Sequence, residues 1–240
     1  MNALLLAAGL GTRLRPITDT VTKCLIPIQG KPLLEWWMEL LERHGVRRVL
    51  VNIHHLPDQV RAFAATYSGN IEITLVMEDK LLGSAGTIAA NQEFFDGQDQ
   101  FFILYADNLT NVDLTALKKF NQAHPAPLTV GLFRPENPSA CGIAELDSAG
   151  TIIGFEEKPQ HPRGELASAG VFVGRPELLN YLQSALPPPF DFGGHVMPRL
   201  IGTMNGTKIS GYLRDIGTHK SLQQAEQEWK MNNEQWIVDN

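Results

Sequence analysis

The 240-residue sequence predicts an α/β protein built on a mostly parallel sheet with helices on both faces. Two observations predict it. Short, wholly apolar runs end in glycine or turn residues, as buried parallel strands do. Segments with apolar residues at helical spacing alternate with those runs, giving repeated strand–helix–strand units. Residues 4–8 form the first such strand, ended by Gly9. Residues 32–44 form the first helix, which stops at Gly45. A strand at 49–53, a helix at 57–67, a strand at 71–77, a helix at 86–95 and a strand at 101–105 follow. Beyond them the pattern changes to short, closely spaced strands at 128–133, 142–146, 152–155 and 169–173, which extend the sheet. Residues 186–190, with three consecutive prolines, read as a breaker inside a loop. Residues 221–231 read as a terminal helix capped by Thr218.

Length and composition are those of one folded domain: 43% of residues are hydrophobic and 19% charged. We expect a single domain over 1–240, with an N-terminal half to about 125, a second half over about 126–220, and the terminal helix at about 221–231. The net charge of −6 argues against a nonspecific nucleic-acid partner, although a local field in a cleft can still attract small anions. No apolar run approaches the ~20 residues that span a bilayer. The opening stretch is apolar and then basic, the reverse of a secretory signal, so a cytoplasmic protein without a membrane partner is expected. Cys24 and Cys141 are the only cysteines. Neither has a His or Cys at ligand spacing, and two buried or half-buried free thiols are expected.

Ligands of open parallel sheets collect beyond the carboxyl ends of strands, which directs attention to Ala7-Ala8-Gly9-Leu10-Gly11-Thr12-Arg13-Leu14-Arg15-Pro16. Two glycines admit a close phosphate, Thr12 adds a hydroxyl, and Arg13 and Arg15 offer cationic forks. A dinucleotide fingerprint would need glycine where Leu14 stands, and a Walker loop would need Ser or Thr where Pro32 follows Gly30-Lys31. A tight strand-to-helix turn with two solvated arginines remains the plain alternative.

The wider stretch decides between them. Gly9-x-Gly11-Thr12-Arg13-Leu14-x-Pro16-x-Thr18, then Lys23-x-Leu25-x-Pro27 and Gly30-Lys31-Pro32, closely resembles the signature of the sugar-1-phosphate nucleotidyltransferases. That family includes glucose-1-phosphate thymidylyltransferases and mannose-1-phosphate guanylyltransferases, and the resemblance runs from Leu4 to about Ala225. It implies a Rossmann-like domain of the nucleotide-diphospho-sugar transferase type, here without the β-helical extension some members carry. By resemblance, Leu6, Ala8, Gly9, Gly11, Thr12, Glu78, Gly83 and Ser84 bind the nucleotide, with Arg13 and Lys23 as catalytic cations on its phosphates. Asp107, in Tyr105-Ala106-Asp107-Asn108, and Asp215, in Arg214-Asp215-Ile216-Gly217-Thr218, resemble the family's Mg²⁺ ligands, and Asp107 also belongs to the nucleotide site. Asn108, Gly142, Glu157, Lys158, Ala169 and Gly170 match the sugar-phosphate side, while Glu156 reads as a solvated neighbour. A carboxylate at Glu78 can accept from N1–H and N2–H₂ of guanine, which favours GTP.

Departures from the family pattern occur at Thr22-Lys23-Cys24, at Ser168-Ala169-Gly170 and at Leu213-Arg214, where Pro-Lys-Pro, Asn-Ala-Gly and an aromatic are usual. The implied reaction joins a nucleoside triphosphate to a sugar 1-phosphate, of mannose or manno-heptose type, and releases pyrophosphate with Mg²⁺ as cofactor. Uridylyl or thymidylyl transfer, cytidylyl transfer to a non-sugar alcohol phosphate, and a silent nucleotide-sugar sensor stay open. So does a homo-oligomeric assembly.

Overall fold

The structure, a computed structural model, describes residues 1–182 and 189–238, with side chains described as far as 232. Most of the expected proline breaker therefore lies outside the described residues. In chain order the elements are β1 (Asn2–Leu6), β2 (Pro27–Ile28), β3 (Lys31–Pro32), α1 (Leu33–Arg43), β4 (Arg48–Ile53), α2 (Pro57–Thr66), β5 (Glu72–Met77), α3 (Ser84–Ala90), β6 (Phe101–Tyr105), β7 (Asn108–Thr110), α4 (Leu114–Ala123), β8 (Leu128–Phe133), β9 (Gly142–Leu146), β10 (Ile152–Glu157), β11 (Leu166–Gly174), α5 (Pro176–Leu179), β12 (Asn205–Lys208), β13 (Leu213–Asp215) and α6 (His219–Val238). This is the α/β class that the alternating pattern predicts. The expected helix at 86–95 is shorter, ending at Ala90, and a 3₁₀ turn follows at Gln92–Phe95.

The chain forms two compact units. The first comprises Met1–Leu4, Leu81–Leu104 and Leu114–Ile209; the second comprises Leu5–Lys80, Tyr105–Asp113 and Ser210–Asn240. Strands β1 and β6 give residues to both.

In the first unit the strand order is β10-β9-β11-β6-β1, with β8 also paired to β11 and β12 to β8. β11 runs antiparallel to β6, β8 and β9, and β12 runs parallel to β8. Phe101, Phe102, Val171, Phe172 and Phe192 fill the core, and the rings of Phe172 and Phe192 meet edge-on at 5.2 Å. Each such side chain removed from water contributes roughly 1.5–3 kcal/mol. Helix α4 is absent from the sequence expectation. Its inward stripe runs Leu114, Leu117, Asn121, and the buried amide interrupts the apolar period that would have announced it. Asn121 is fully buried. Its Nδ2 donates to Ala126 O at 3.2 Å and Thr129 Oγ1 at 2.8 Å, while its Oδ1 accepts from Arg175 Nε at 2.8 Å and from Gln100.

In the second unit β4 and β5 pair in parallel, from Arg48↔Glu72 to Ile53↔Met77, and β1 borders β4. Helix α1 buries Leu33, Leu34, Trp36, Trp37, Leu40 and Leu41, the i, i+3, i+4, i+7 stripe of an amphipathic helix. Helix α6 closes the same core: Trp229 meets Trp36 edge-on at 5.3 Å. Ser221 N donates to Thr218 Oγ1 at 3.2 Å, so Thr218 caps α6 as expected. Two-residue strands β2 and β3, and the pair β7–β13, are too short for period-2 patterning to reveal.

Replacing Asn121 by Ala would remove the side-chain partner of Arg175 Nε, Gln100 Nε2, Thr129 Oγ1 and Ala126 O at a buried position. We expect a loss of at least ~2 kcal/mol in urea unfolding. A loss below ~0.5 kcal/mol would show that water satisfies those groups.

Candidate functional site

Strands β7 and β13 pair antiparallel with Asp215 opposite Asn108, and Ile216 N donates to Asp107 O at 3.0 Å. This register places two carboxylates from distant parts of the sequence side by side. Lys23, on a short 3₁₀ turn at Lys23–Leu25, points its ammonium between them. Its Nζ lies 2.7 Å from Asp107 Oδ2 and 3.4 Å from Asp215 Oδ1. The lysine side chain is only 9% exposed, against 39% and 53% for the two aspartates. The cation is thus buried while the anions keep a solvent-facing side. Gly217 N donates to Asp215 Oδ1 at 2.6 Å and fixes that carboxylate.

Arg13 joins the group. A Cβ on Gly217 would stand 2.8 Å from Arg13 Nη2 and 2.7 Å from Asp215 Oδ1, so the guanidinium lies across the same glycine. Arg15 turns elsewhere, to Asp19 at 3.1 Å on the surface, and does not act as the second fork of the glycine turn. In that turn Gly11 has φ 63°, and a Cβ there would come within 2.7 Å of Thr18 Cγ2, so glycine is required. Thr18 Oγ1 donates to Gly11 O at 2.9 Å and His55 Nε2 pairs with Thr18 O at 2.7 Å, which ties the turn to the segment after β4. The second unit therefore holds Leu6, Ala8, Gly9, Gly11, Thr12, Arg13, Lys23, Glu78, Asp107, Asn108 and Asp215. Glu78 is buried, 4% exposed, and its Oε1 accepts from Asn52 Nδ2 at 2.8 Å.

The remaining expected residues, Gly83, Ser84, Gly142, Glu157, Lys158, Ala169 and Gly170, belong to the first unit. Gly83 has φ 80°, and a Cβ there would meet the Phe190 backbone at 2.6 Å. Ser84 Oγ donates to Asp191 Oδ2 at 3.1 Å and accepts from Phe192 N at 2.7 Å. Asp191 begins a π-helical turn at Phe192–Val196 and caps it through Gly194 N at 2.9 Å. Such turns are rare and recur at functional sites, yet neither Asp191 nor the turn carries a period that sequence reasoning could detect. Glu157 Oε2 would lie 2.6 Å from a Cβ on Gly142 and 2.8 Å from one on Gly193. Glycines on two separate segments thus leave room for one carboxylate. Lys158 sits at φ 51°, a strained backbone for a non-glycine, with Nζ 3.6 Å from Glu157 Oε1. Ala169 and Gly170 fall within the irregular register of β11 against β8, between Ser168 and Phe172, and Gly170 has φ 67°. Glu156 is exposed, as expected.

Burial raises the Glu157 carboxyl above its ordinary value of 4.5, Lys158 opposes the shift and Asp191 adds to it. Burial also pushes the Cys24 thiol up to about 11, and both cysteines are free thiols, Cys24 buried and Cys141 half-buried. Among the described residues no helix is long and apolar enough to cross a membrane.

An α/β fold that sets two carboxylates and two cations beside a glycine turn is arranged for polyanionic ligands. The model of the family described as Nucleotidyl transferase matches residues 2–232, and the chain belongs to that family. Three relatives show its range. A UTP–glucose-1-phosphate uridylyltransferase of Synechocystis sp. is 35% identical over 219 residues, covering 84% of this chain and 55% of the relative. A glucose-1-phosphate thymidylyltransferase of Streptomyces griseus is 32% identical, over 90% of this chain and 62% of the relative. The mannose-1-phosphate guanylyltransferase catalytic subunit beta of Danio rerio is 31% identical, over 92% and 62%. This chain therefore spans only 55–62% of the length of these relatives. Among solved structures, a candidate glucose-1-phosphate thymidylyltransferase from Bacillus anthracis superposes with TM-score 0.84 at 24% identity, over 94% of each chain, which establishes the shared fold.

Because its folded pKa is raised, Glu157 costs stability as it ionises: nothing below the unfolded pKa, then a growing amount as pH rises toward the folded pKa. The stability of Glu157→Gln relative to wild type should therefore increase as pH rises above 4.5 and level off once Glu157 has ionised in the folded chain. A difference in urea midpoints that is flat with pH would refute the shift.

Proposed function

We propose that the chain transfers a nucleotidyl group from a nucleoside triphosphate to a sugar 1-phosphate, releasing pyrophosphate and forming an NDP-sugar for glycan assembly. The observation that carries this reading is the gathering of Arg13, Lys23, Asp107 and Asp215 within one unit beside the glycine turn. A sugar-phosphate oxygen forms a bond to the α-phosphorus in line as the bond from that phosphorus to the pyrophosphate oxygen breaks, so no protein nucleophile is needed. Arg13 and Lys23 neutralise the phosphates of the triphosphate and the leaving pyrophosphate, and the glycine turn orients them.

Asp107 and Asp215 suit Mg²⁺. They are hard oxygen donors converging on one position that a cation, the Lys23 ammonium, already favours. Two carboxylates leave most of an octahedron to water and phosphate oxygens, the usual pattern for magnesium. Bound there, the ion would supply further charge neutralisation at the reacting phosphates.

Glu157 and Lys158 are assigned to the sugar hydroxyls and sugar phosphate, with Gly142 and Gly193 leaving room for the Glu157 carboxylate, and Gly142, Ala169 and Gly170 are assigned to the same side. Asn108 is assigned to the sugar phosphate. For the base we favour GTP, read by Glu78, and for the sugar a mannose or manno-heptose type; Gly83 and Ser84 are assigned to nucleotide binding. The guanylyltransferase among the relatives supports this, while the uridylyltransferase, at 35% identity, supports UTP as the second reading. Substrates of this kind imply a cytoplasmic enzyme.

A pyrophosphate-release assay crossing several nucleoside triphosphates with a panel of sugar 1-phosphates tests the reading. Turnover with at least one pair in the presence of Mg²⁺ is expected, and none with any pair would overturn it. Asp107→Asn and Arg13→Ala should each cut turnover at least ~10²-fold; near-normal rates would remove their assigned roles. Glu78→Gln should impair GTP use more than UTP use, and an equal loss would discard guanine.

A further inference from the structure

Asn52 is the penultimate residue of β4, in the run Arg48-Val49-Leu50-Val51-Asn52-Ile53. It is a buried amide, 4% exposed, between Val51 and Ile53, which are 0% and 2% exposed. Simple satisfaction of a buried polar group could come from neighbouring backbone. Instead the two ends of this amide reach two distant segments. Oδ1 accepts from Ala7 N at 2.7 Å, the first amide beyond β1, and Nδ2 donates to Glu78 Oε1 at 2.8 Å. Ala7 opens the turn that carries Gly9 and Gly11, and Glu78 follows directly after β5.

Other bonds hold both ends in place. Ala106 N donates to Leu6 O at 3.2 Å, just before Ala7. On the other side, Glu78 N donates to Ile53 O at 2.9 Å, and His54 Nδ1 pairs with Glu78 O at 2.7 Å. The backbones on either side are thus fixed, and the amide spans the gap between them. This span needs a donor and an acceptor on one short side chain, which asparagine supplies and neither aspartate nor leucine does.

We propose that Asn52 is a positioning residue that couples the carboxylate reading the base to the loop cradling the phosphates. This rests on the nucleotidyl-transfer reading of Glu78 and the glycine turn. With Asn52 in place, one rotamer of Glu78 is held at the same time as the entry of the turn. Base and triphosphate are therefore presented at a set spacing, and recognition of one is paid into binding of the other. Loss of Asn52 should relax both together, unlike loss of an ordinary core residue, which lowers stability alone.

The test compares wild type with Asn52→Leu, Asn52→Asp and the double variant Asn52→Asp/Glu78→Gln. In the double variant the new amide donates to the new carboxylate, which still accepts from Ala7 N, so the bridge is rebuilt with its polarity reversed. Three quantities are read: hydrogen exchange of the amides at 7–11, KM and kcat for each nucleoside triphosphate, and the kcat/KM ratio of the preferred base over the next best. In both single variants exchange should quicken roughly tenfold or more, the scale of one buried hydrogen bond to a charged group. In Asn52→Leu this is because Ala7 N loses its acceptor, and in Asn52→Asp because two facing carboxylates repel and draw the side chain at 52 off Ala7 N. KM for the preferred nucleotide should rise by a similar factor with kcat changed less, and the base ratio should fall toward one. The double variant should recover slow exchange, while KM for the preferred nucleotide stays raised and its base ratio stays altered, because Glu78→Gln removes the second acceptor oxygen.

Wild-type exchange at 7–11 together with a wild-type base ratio in Asn52→Leu would overturn the proposal, whatever happens to Tm. Failure of the double variant to slow exchange relative to Asn52→Asp would overturn it as well, and this arm remains decisive should Asn52→Leu not fold. If wild type turns over no nucleotide at all, the transfer reading falls, and the exchange measurements still decide whether Asn52 holds the loop.

Discussion

The ammonium of Lys23 is the constraint on which the site depends. Pairing of β7 with β13 forces Asp107 and Asp215 together, and two carboxylates at such range repel each other by several kcal/mol at the effective dielectric of a protein surface. A buried cation 2.7 and 3.4 Å away offsets that repulsion. The lysine in turn tolerates burial only because it has those partners. Each half of the arrangement offsets the cost of the other. This explains why a residue type that is rarely buried sits at 7% exposure on a short turn between β1 and β2.

Much of this was legible in the sequence because burial writes a period. The strands at 101–105, 128–133 and 142–146 stand where their unbroken or alternating apolar residues predict, and α1 follows its stripe of leucines and tryptophans. Helix α4 was hidden because Asn121 occupies its third inward position, and hydrogen bonding rather than hydrophobicity holds it there. Strands of two or three residues were hidden for a different reason: a period needs several repeats to be seen.

The site was legible to the extent that its residues fall in a contiguous motif. Gly9 to Lys23 could be read as one signature, and the two aspartates could be recognised by their flanking residues. Asn52, Asp191 and the π turn at Phe192–Val196 could not. A buried asparagine in a strand and an aspartate before a phenylalanine look like ordinary core and loop residues until the bonds from Asn52 to Ala7 and Glu78, and from Ser84 to Asp191, are seen. Fold and family place the chain among the nucleotidyl transferases. Relatives of nearly equal identity carry names that differ in both base and sugar.

The lacing of α6 into the second unit bears on how the protein is made. Glu226 accepts from Gln29 N through both carboxylate oxygens, and Trp229 lies against Trp36, so residues separated by about two hundred positions complete one core. A nascent chain emerging from the ribosome carries Lys23 and Asp107 long before Asp215 and α6 exist. Until translation passes that point, the second unit has an open apolar face and a lysine with only one of its two counterions. The charge cluster is therefore among the last features of this unit to be assembled, and a chain truncated before α6 would present bare tryptophan surface to chaperones.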